Sequence, residues 1–296
     1  MVKLKTILVA IDFSPCSLIA LRQAGRLATE NGAKLHVIHA VNSKDIYQIA
    51  AAVPFSRKEF DEQLVENIKA QLRGAVDDVI GETEVEYHAV IGHPLDAVVK
   101  AIKDIDADLL VIGAFGDGGP GRGASAFSTK CARRSPINVL LVDESWPDTM
   151  KTVMACIDFS EYSNMVADEA ARYADFTGAQ LKLVHAHSNP FDVFHWGFSP
   201  VDITSEYEQY KASLQSQLEK IGSRIASEHN GLQVETELVF GVDYTKAMVS
   251  RAKRVEADLA VIGAKGRTAL SYIMLGSTTE KMLRQTDTSV LTVRQS

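Results

Sequence analysis

Short apolar runs alternate along the chain with longer segments in which apolar residues recur every three to four positions. The run Thr6–Ile11 is almost continuously apolar, which is typical of a strand buried on both faces of a sheet. The segment Ser17–Glu30 places Leu21, Ala24 and Ala28 on one stripe, as an amphipathic helix does. This alternation predicts βαβ units, and therefore an α/β fold in which helices cover both faces of a parallel sheet.

The same series of elements occurs twice. The sequence ILVAIDFS at Ile7–Ser14 returns as VMACIDFS at Val153–Ser160, and ADLLVIGAFG at Ala107–Gly116 returns as ADLAVIGAKG at Ala257–Gly266. A repeat of this length corresponds to a whole domain. The predicted strands are 6–11, 34–40, 84–90, 109–112 and 138–142 in the first copy, and 153–157, 181–186, 234–239, 259–262 and 290–293 in the second. The predicted helices are 17–30, 57–79, 94–105, 163–177, 205–228 and 244–255, with a further helix opening at Gly276.

The repeat divides the chain into two domains, each with its own open five-stranded parallel sheet. We predict a first domain at residues 1–143 and a second at 151–296. The linker between them, 144–150, is short and polar and contains Pro147. Each predicted domain is long enough to bury a core of its own.

Composition and charge narrow the class of protein. The chain has 296 residues, 46% hydrophobic and 23% charged, which is ordinary for a globular protein. Its formal net charge of −7 is not offset by a basic block, which argues against nucleic acid or an anionic membrane as a partner. No apolar run is long enough to cross a bilayer. The three scattered cysteines do not suggest a disulfide framework, and we expect a cytoplasmic protein.

The strongest chemical pattern lies near the end of the second copy. Gly263 and Gly266 follow a buried strand, and Gly276, Ser277 and Thr278 precede a helix. Glycines let the backbone approach phosphate oxygens closely, and a helix N-terminus supplies unpaired N–H groups and partial positive charge. A tight turn alone would explain the first two glycines but not the Gly276–Ser277 pair. The pattern therefore predicts a phosphate-binding site.

The first copy has lost this pattern. Phe115 stands where the second copy has Lys265, so a cation is replaced by an apolar group. Asp117 stands where the second copy has Arg267, which places an anion beside the predicted phosphates at a cost of roughly 1 kcal/mol or more. We therefore expect tight nucleotide binding in the second copy alone.

The sequence leaves open which residues of the first copy replace Gly276–Ser277. Depending on where a one-residue gap is placed, the replacement is Ser125–Ala126 or Ala126–Phe127.

These motifs resemble the tandem, two-domain universal stress proteins of the UspA superfamily, in the ATP-binding subgroup. The markers are Asp12 and Asp158 at the ends of the first strands, the two VIG segments and the complete glycine motif of the second copy. The resemblance implies strand order 3-2-1-4-5, a homodimer or an intrachain pseudo-dimer, and bound ATP with Mg²⁺ as its usual companion. It also implies an ATP site, in which Asp158 and Ala186 lie at the adenosine and Ile262 and Gly263 line the crevice. Gly266, Gly276, Ser277 and Thr278 would lie at the ribose and phosphates. Lys265 and Arg267 lie inside the loop itself, where their charges can offset those of the phosphates.

Three functions remain open on the sequence alone. The first is a nucleotide-binding stress or regulatory protein with little turnover, whose output passes through a partner or a conformational state. The second is a slow ATPase or self-phosphorylating enzyme. Against it, no general base is recognisable beside the loop, and the lysine-serine pair of phosphate-loop ATPases is missing. The third is a scaffold with two vestigial crevices, which the complete second motif disfavours.

The histidines do not predict a metal site. His36 and His39 lie on opposite faces of their predicted strand, because they are three residues apart. His185 and His187 share a face, but two nitrogens without a cysteine or carboxylate nearby in sequence make a weak zinc site. We therefore expect no bound metal.

Overall fold

Among the described residues, each half of the chain has five strands that alternate with helices. The computed structural model describes residues 4–44, 46, 56–81, 83–116, 123–191, 204–265 and 275–295. The strands of the first half are β1 Thr6–Ala10, β2 Lys34–Val41, β3 Val85–Ile91, β4 Leu109–Gly113 and β5 Asn138–Val142. Its helices are α1 Pro15–Asn31, α2 Arg57–Ile80, α3 Pro94–Asp104 and α4 Ala126–Arg134.

The second half repeats this series. Its strands are β6 Thr152–Cys156, β7 Gln180–His187, β8 Val234–Phe240, β9 Leu259–Gly263 and β10 Ser289–Val293. Its helices are α5 Ser163–Thr177, α6 Thr204–Glu228, α7 Tyr244–Arg254 and α8 Ser277–Gln285. The chain divides into two compact units between Trp146 and Pro147.

Both units have the strand order that the family resemblance implies. The order is β3-β2-β1-β4-β5 in the first unit and β8-β7-β6-β9-β10 in the second, with parallel pairing between neighbours. Val153 pairs with Leu181 on one side and with Leu259 on the other, so β6 is central. The α/β fold class and the order 3-2-1-4-5 are therefore confirmed.

The central strands are buried on both faces, as their continuous apolar runs predict. All five residues of β6 are buried, and so are all five of β4. The helices cover the sheet with their apolar stripes; α1, for example, buries Leu21, Ala24 and Ala28. Among the described residues, none of the helices combines the length and apolarity that crossing a membrane requires.

The first helix begins two residues earlier than its apolar stripe suggests. Ser14 is the N-cap, and its side chain accepts a hydrogen bond from the backbone N–H of Ser17. Pro15 then occupies the first helical position, where its fixed φ and missing N–H cost nothing. Gly32 ends the helix at φ 60°, a left-handed conformation that glycine adopts without strain.

Candidate functional site

A cleft of about 330 Å³ opens in the second unit at the carboxyl ends of β6, β7 and β9. Strand order reverses between β6 and β9, and open parallel sheets bind ligands at such a reversal. The cleft is lined by Cys156, Ile157, Asp158, Ser160, Tyr162, Val166, His185, Ala186, His187, Tyr210, Tyr244, Met248, Ile262, Gly263, Lys265, Gly276, Ser277, Thr278 and Thr279.

Asp158 is held in a fixed orientation directly after β6. Its Oδ1 accepts hydrogen bonds from the backbone N–H of Ser160 at 2.9 Å and from the hydroxyl of Ser163 at 3.0 Å. Ser163 opens α5, so the bond ties the carboxylate to the start of that helix. The side chain is half-buried at the cleft wall, where its carboxylate can accept hydrogen bonds from a ligand.

The residue after this aspartate has an unusual backbone conformation. Phe159 has φ 57°, a left-handed value that bulky residues rarely adopt and that costs about 1–3 kcal/mol. Its ring lies 4.3 Å from the ring of His185. The Nδ1–H of His185 donates to the carbonyl of Ile157 at 2.7 Å. The contact and the hydrogen bond hold the end of β6 in place beneath the cleft.

The first unit contains the same arrangement. Phe13 has φ 64°, its ring lies 4.7 Å from that of His39, and His39 Nδ1 donates to the carbonyl of Ile11 at 2.7 Å. The pair of matching histidines therefore plays a structural role in both units. The sequence shows the matching histidines but gives no sign of the positive φ at either phenylalanine.

Gly263 is needed where the backbone turns out of β9. A Cβ built at this position would lie 2.9 Å from the carbonyl oxygen of Lys265, closer than real Cβ contacts come. The carbonyl of Gly263 accepts from Thr279 Oγ1 at 2.8 Å, which ties the turn to α8. The other two predicted loop residues, Gly266 and Arg267, lie outside the described residues.

The N-terminus of α8 opens onto the cleft without a side-chain cap. Gly276 is its N-cap residue and has no side chain to accept a bond from the first turn. Ser277 and Thr278 occupy the first two helical positions, so they do not cap the helix themselves. Ser277 is exposed and Thr278 half-buried, and both line the cleft. The arrangement leaves backbone N–H groups of the first turn directed at the place where an anion would lie.

The corresponding helix of the first unit is capped. The hydroxyl of Ser125 accepts from the backbone N–H of Ser128 at 3.1 Å and contacts the Ser128 hydroxyl at 2.9 Å. This bond takes up a donor that an anion would otherwise use.

Two hydrogen bonds of the first unit have exact counterparts in the second, and they show which residues of the two loops correspond. The N–H of Ser125 donates to Ala114 and that of Gly276 donates to Ala264, each at 2.8 Å. Ser128 Oγ donates to the carbonyl of Gly113 at 2.8 Å, as Thr279 does to Gly263. Ser125–Ala126 therefore replaces Gly276–Ser277, and Phe127 replaces Thr278.

The cleft of the first unit is smaller and more apolar. Its volume is about 230 Å³, and Phe115 and Phe127 both line it. A Cβ at Gly116 would lie 2.9 Å from Asp12 Oδ2, so the loop passes close to the aspartate that matches Asp158. Asp117 lies outside the described residues.

Eight of the ten predicted site residues line one cleft. They are Asp158, Ala186, Ile262, Gly263, Lys265, Gly276, Ser277 and Thr278. Sequence reasoning missed the tyrosines Tyr162, Tyr210 and Tyr244, together with Met248. The helical pattern places these residues near helix starts or on half-buried faces, and nothing in their spacing marks them as cleft residues.

The one thiol in this cleft is not reactive. Burial, aided by the nearby charge of Asp158, raises the pKa of Cys156 to about 12. A thiol with this pKa carries almost no thiolate at neutral pH and is a poor nucleophile.

The doubly wound sheets define an α/β protein with a cleft at the strand-order reversal of each unit, the position at which open parallel sheets bind small molecules. The sequence model of the universal stress protein family matches residues 3–143 and 149–294. The chain therefore belongs to the universal stress protein family and carries two tandem copies of its domain.

Relatives that align with this chain over nearly the whole length of both proteins support this assignment. The chain is similar to universal stress protein Rv2623 of Mycobacterium tuberculosis, with 26% identity over 98% of this chain and 96% of that protein. It is also similar to the universal stress protein E homolog of Haemophilus influenzae, with 24% identity over 99% and 98% of the two chains. A universal stress protein from Archaeoglobus fulgidus shares the fold, with a TM-score of 0.66 at 17% identity over 98% and 96% of the chains.

Proposed function

We propose that the protein binds ATP in the cleft of the second unit, with little or no turnover, and acts as a regulatory protein of the stress response. The observation that carries this proposal is the difference between the two helix N-termini. That of α8 is uncapped and opens onto the cleft, whereas that of α4 is capped by Ser125 beside Phe127.

The cleft offers complementary surroundings to the two ends of the nucleotide. The phosphates would lie against the first turn of α8, where a negative charge gains about 0.3–1 kcal/mol from the helix dipole and up to about 2 kcal/mol when partly buried. Lys265 lines the same end and adds countercharge. The adenosine would lie against Ala186 and Ile262, with the Asp158 carboxylate accepting from its polar hydrogens. Mg²⁺ would accompany the triphosphate.

Binding without turnover is favoured over catalysis by the state of the cleft's carboxylate. Asp158 Oδ1 already accepts hydrogen bonds from Ser160 and Ser163. Among the described lining residues, Asp158 is the only carboxylate. The alternative, a slow ATPase or self-phosphorylation at Ser277, stays open to experiment.

The test is a comparison of matched loop variants. Purified protein should release about one nucleotide per chain on denaturation, and titration calorimetry should give one ATP site. Thr278→Phe copies the residue that the first unit carries and should abolish binding by filling the cleft. Phe127→Thr makes the reverse change in the first unit and should leave the site count at one.

Two results would overturn the proposal. One is wild-type protein that neither carries nucleotide nor shows heat on titration with ATP. The other is equal binding by wild type and a folded Thr278→Phe variant. Steady ADP release that Thr278→Phe removes would favour the enzyme instead.

The family resemblance and the net charge also bear on the assembly and the location of the protein. We infer that two units pair, either as a homodimer or as an intrachain pseudo-dimer, and light scattering of the purified chain distinguishes the two. We also place the protein in the cytoplasm, and no nucleic acid or membrane partner is proposed at a net charge of −7.

A further inference from the structure

Two histidines and a glutamate of the first unit meet on one face of its sheet. His36 on β2 pairs in register with Glu86 on β3, and His88 lies two residues further along β3, on the same face. His36 is buried, with its side chain 6% exposed, whereas the side chain of Glu86 is 63% exposed and His88 is half-buried. One ligand of the group is therefore buried against the sheet, and another is exposed to solvent. It lies apart from the cleft lining of this unit.

The three side chains present their ligand atoms at distances close to those of a metal site. His36 Nδ1 lies 3.0 Å from His88 Nε2 and 3.6 Å from Glu86 Oε2. One ligand atom from each residue lies within 4.8 Å of the other two. In a tetrahedral zinc site with bonds of about 2.0–2.2 Å, ligand atoms lie about 3.3–3.6 Å apart. Small side-chain rotations would therefore bring all three atoms onto one ion.

The second unit shows what this face holds when it carries no such group. Lys182 takes the place of His36 and forms an ion pair with Glu235, which takes the place of Glu86. Glu237 takes the place of His88 and pairs with Arg251 of α7. Both carboxylates of the second unit are thus neutralised by cations.

In the first unit those cations are missing. His36 replaces the lysine, and α3 carries Ala101 at the position of Arg251. The face that holds two ion pairs in one copy therefore holds two imidazoles and a carboxylate in the other. These are ligand types that divalent transition metals prefer.

Burial and neighbouring charges act on both imidazoles of the group. Burial lowers the pKa of His36 and of His88 below the ordinary value, although the Glu86 carboxylate opposes this in both. Lys34 further lowers the pKa of His36, and Asp104 on α3 raises that of His88.

We propose that His36, Glu86 and His88 form a binding site for a divalent transition metal ion such as Zn²⁺ in the first unit. Three protein ligands leave a further coordination position for water or for a group from another molecule. Without the ion, one imidazole donates a hydrogen bond to the other, which accounts for the 3.0 Å contact. The site departs from the expectation of no metal, because its residues come from two strands far apart in sequence.

The test measures Zn²⁺ and Co²⁺ binding by the full chain, without nucleotide. Equilibrium dialysis of metal-free protein should give one Zn²⁺ per chain at this site, and Co²⁺ should give visible absorption bands of a low-coordination complex. His88→Gln and Glu86→Gln should each weaken Zn²⁺ binding by at least about tenfold, a loss that even outer-shell substitutions reach in metal sites. His93→Gln changes an exposed histidine of the same unit outside the group and should leave the affinity within about twofold.

A further variant guards against misfolding. The double change His36→Lys with His88→Glu installs the residues of the second unit and should remove Zn²⁺ binding while the protein stays folded by circular dichroism. The proposal is overturned if wild-type protein retains no Zn²⁺ in dialysis. It is equally overturned if the folded Glu86→Gln and His88→Gln variants bind Zn²⁺ and Co²⁺ as wild type does. Neither result bears on ATP binding in the second unit.

Discussion

A serine at position 276 should stabilise the protein slightly and at the same time weaken ATP binding. Gly276 has φ −61° and ψ 144°, close to the φ −58° and ψ 163° of the capping Ser125. A serine at 276 therefore fits the backbone and would accept from the N–H of Thr279, as Ser125 accepts from Ser128 at 3.1 Å. The same N–H would then no longer be available to a phosphate.

The two effects differ in size. A serine N-cap is better than glycine by only a few tenths of a kcal/mol. A hydrogen bond to a charged group contributes about 1.5–3 kcal/mol, so losing one should weaken ATP binding by roughly 10- to 150-fold. Thermal unfolding without nucleotide measures the first effect, and titration calorimetry with ATP measures the second.

Gly276→Ala separates the hydroxyl from the added carbon. It adds the Cβ but supplies no acceptor, so it should lose stability and keep more of the ATP affinity than the serine variant. Ser125→Gly in the first unit should lower stability by a few tenths of a kcal/mol and leave ATP binding unchanged. Equal ATP affinities for Gly276→Ser and Gly276→Ala would refute the reasoning, because the capping hydroxyl would then have no effect on the anion.

Three further outcomes are expected. Gly74→Ala should raise the free energy of unfolding, measured by urea titration, by about 0.5–1 kcal/mol. Gly74 is an exposed residue within α2, and a Cβ there meets no atom within 4 Å, so alanine fits without strain. A loss of stability would contradict this. Burial lowers the pKa of His36, His88 and His187 in the folded protein. As the pH falls below about 6.5, these histidines therefore bind protons in the unfolded chain before they do so in the folded one. The free energy of unfolding should for this reason decrease between pH 7 and pH 5. Urea titrations at both pH values measure this, and His88→Gln should flatten the dependence; a stability that rises on acidification would show the sign to be wrong. The three buried free cysteines should not react with a thiol reagent at pH 8 until the protein is unfolded. Burial raises the pKa of each thiol, to about 12 for Cys131 and Cys156. Rapid labelling of the native protein would contradict this prediction.

The sequence predicts the fold well because its signals are local. The inner strands of the sheets are short apolar runs. The duplication shows every element twice, so one copy supports the interpretation of the other. Strand order comes from the family resemblance and is confirmed by the pairing of β6 with both β7 and β9. The extents of the two domains and the linker stay a prediction.

The site could be predicted only where its residues are adjacent in sequence. Gly276, Ser277 and Thr278 form a readable group, and the structure places them on the cleft. The correspondence of Ser125 with Gly276 required a hydrogen bond across the loop, since residue spacing allowed two alignments. Tyr210 and Tyr244 reach the cleft through the packing of separate helices, for which the sequence has no local signal.

The His36, Glu86 and His88 group shows the same limit more sharply. His36 and Glu86 are neighbours only because β2 and β3 pair in one particular register. A register shifted by a single residue would move Glu86 to the opposite face and dissolve the group. Such constellations appear only when the pairing of strands is known.

The paired phenylalanine and histidine beneath each cleft have a consequence for how the duplicated halves diverge. Both halves keep the left-handed Phe13 or Phe159 and its histidine, although we expect only one half to hold a nucleotide. The strained backbone conformation is therefore a feature of the fold itself and does not depend on which ligand a cleft binds. A chain that carries this fold twice can keep its ligand specificity in one half while the loop residues of the other half change. A new ligand would then require only a few loop substitutions, because the strands and the turn that support the cleft stay the same.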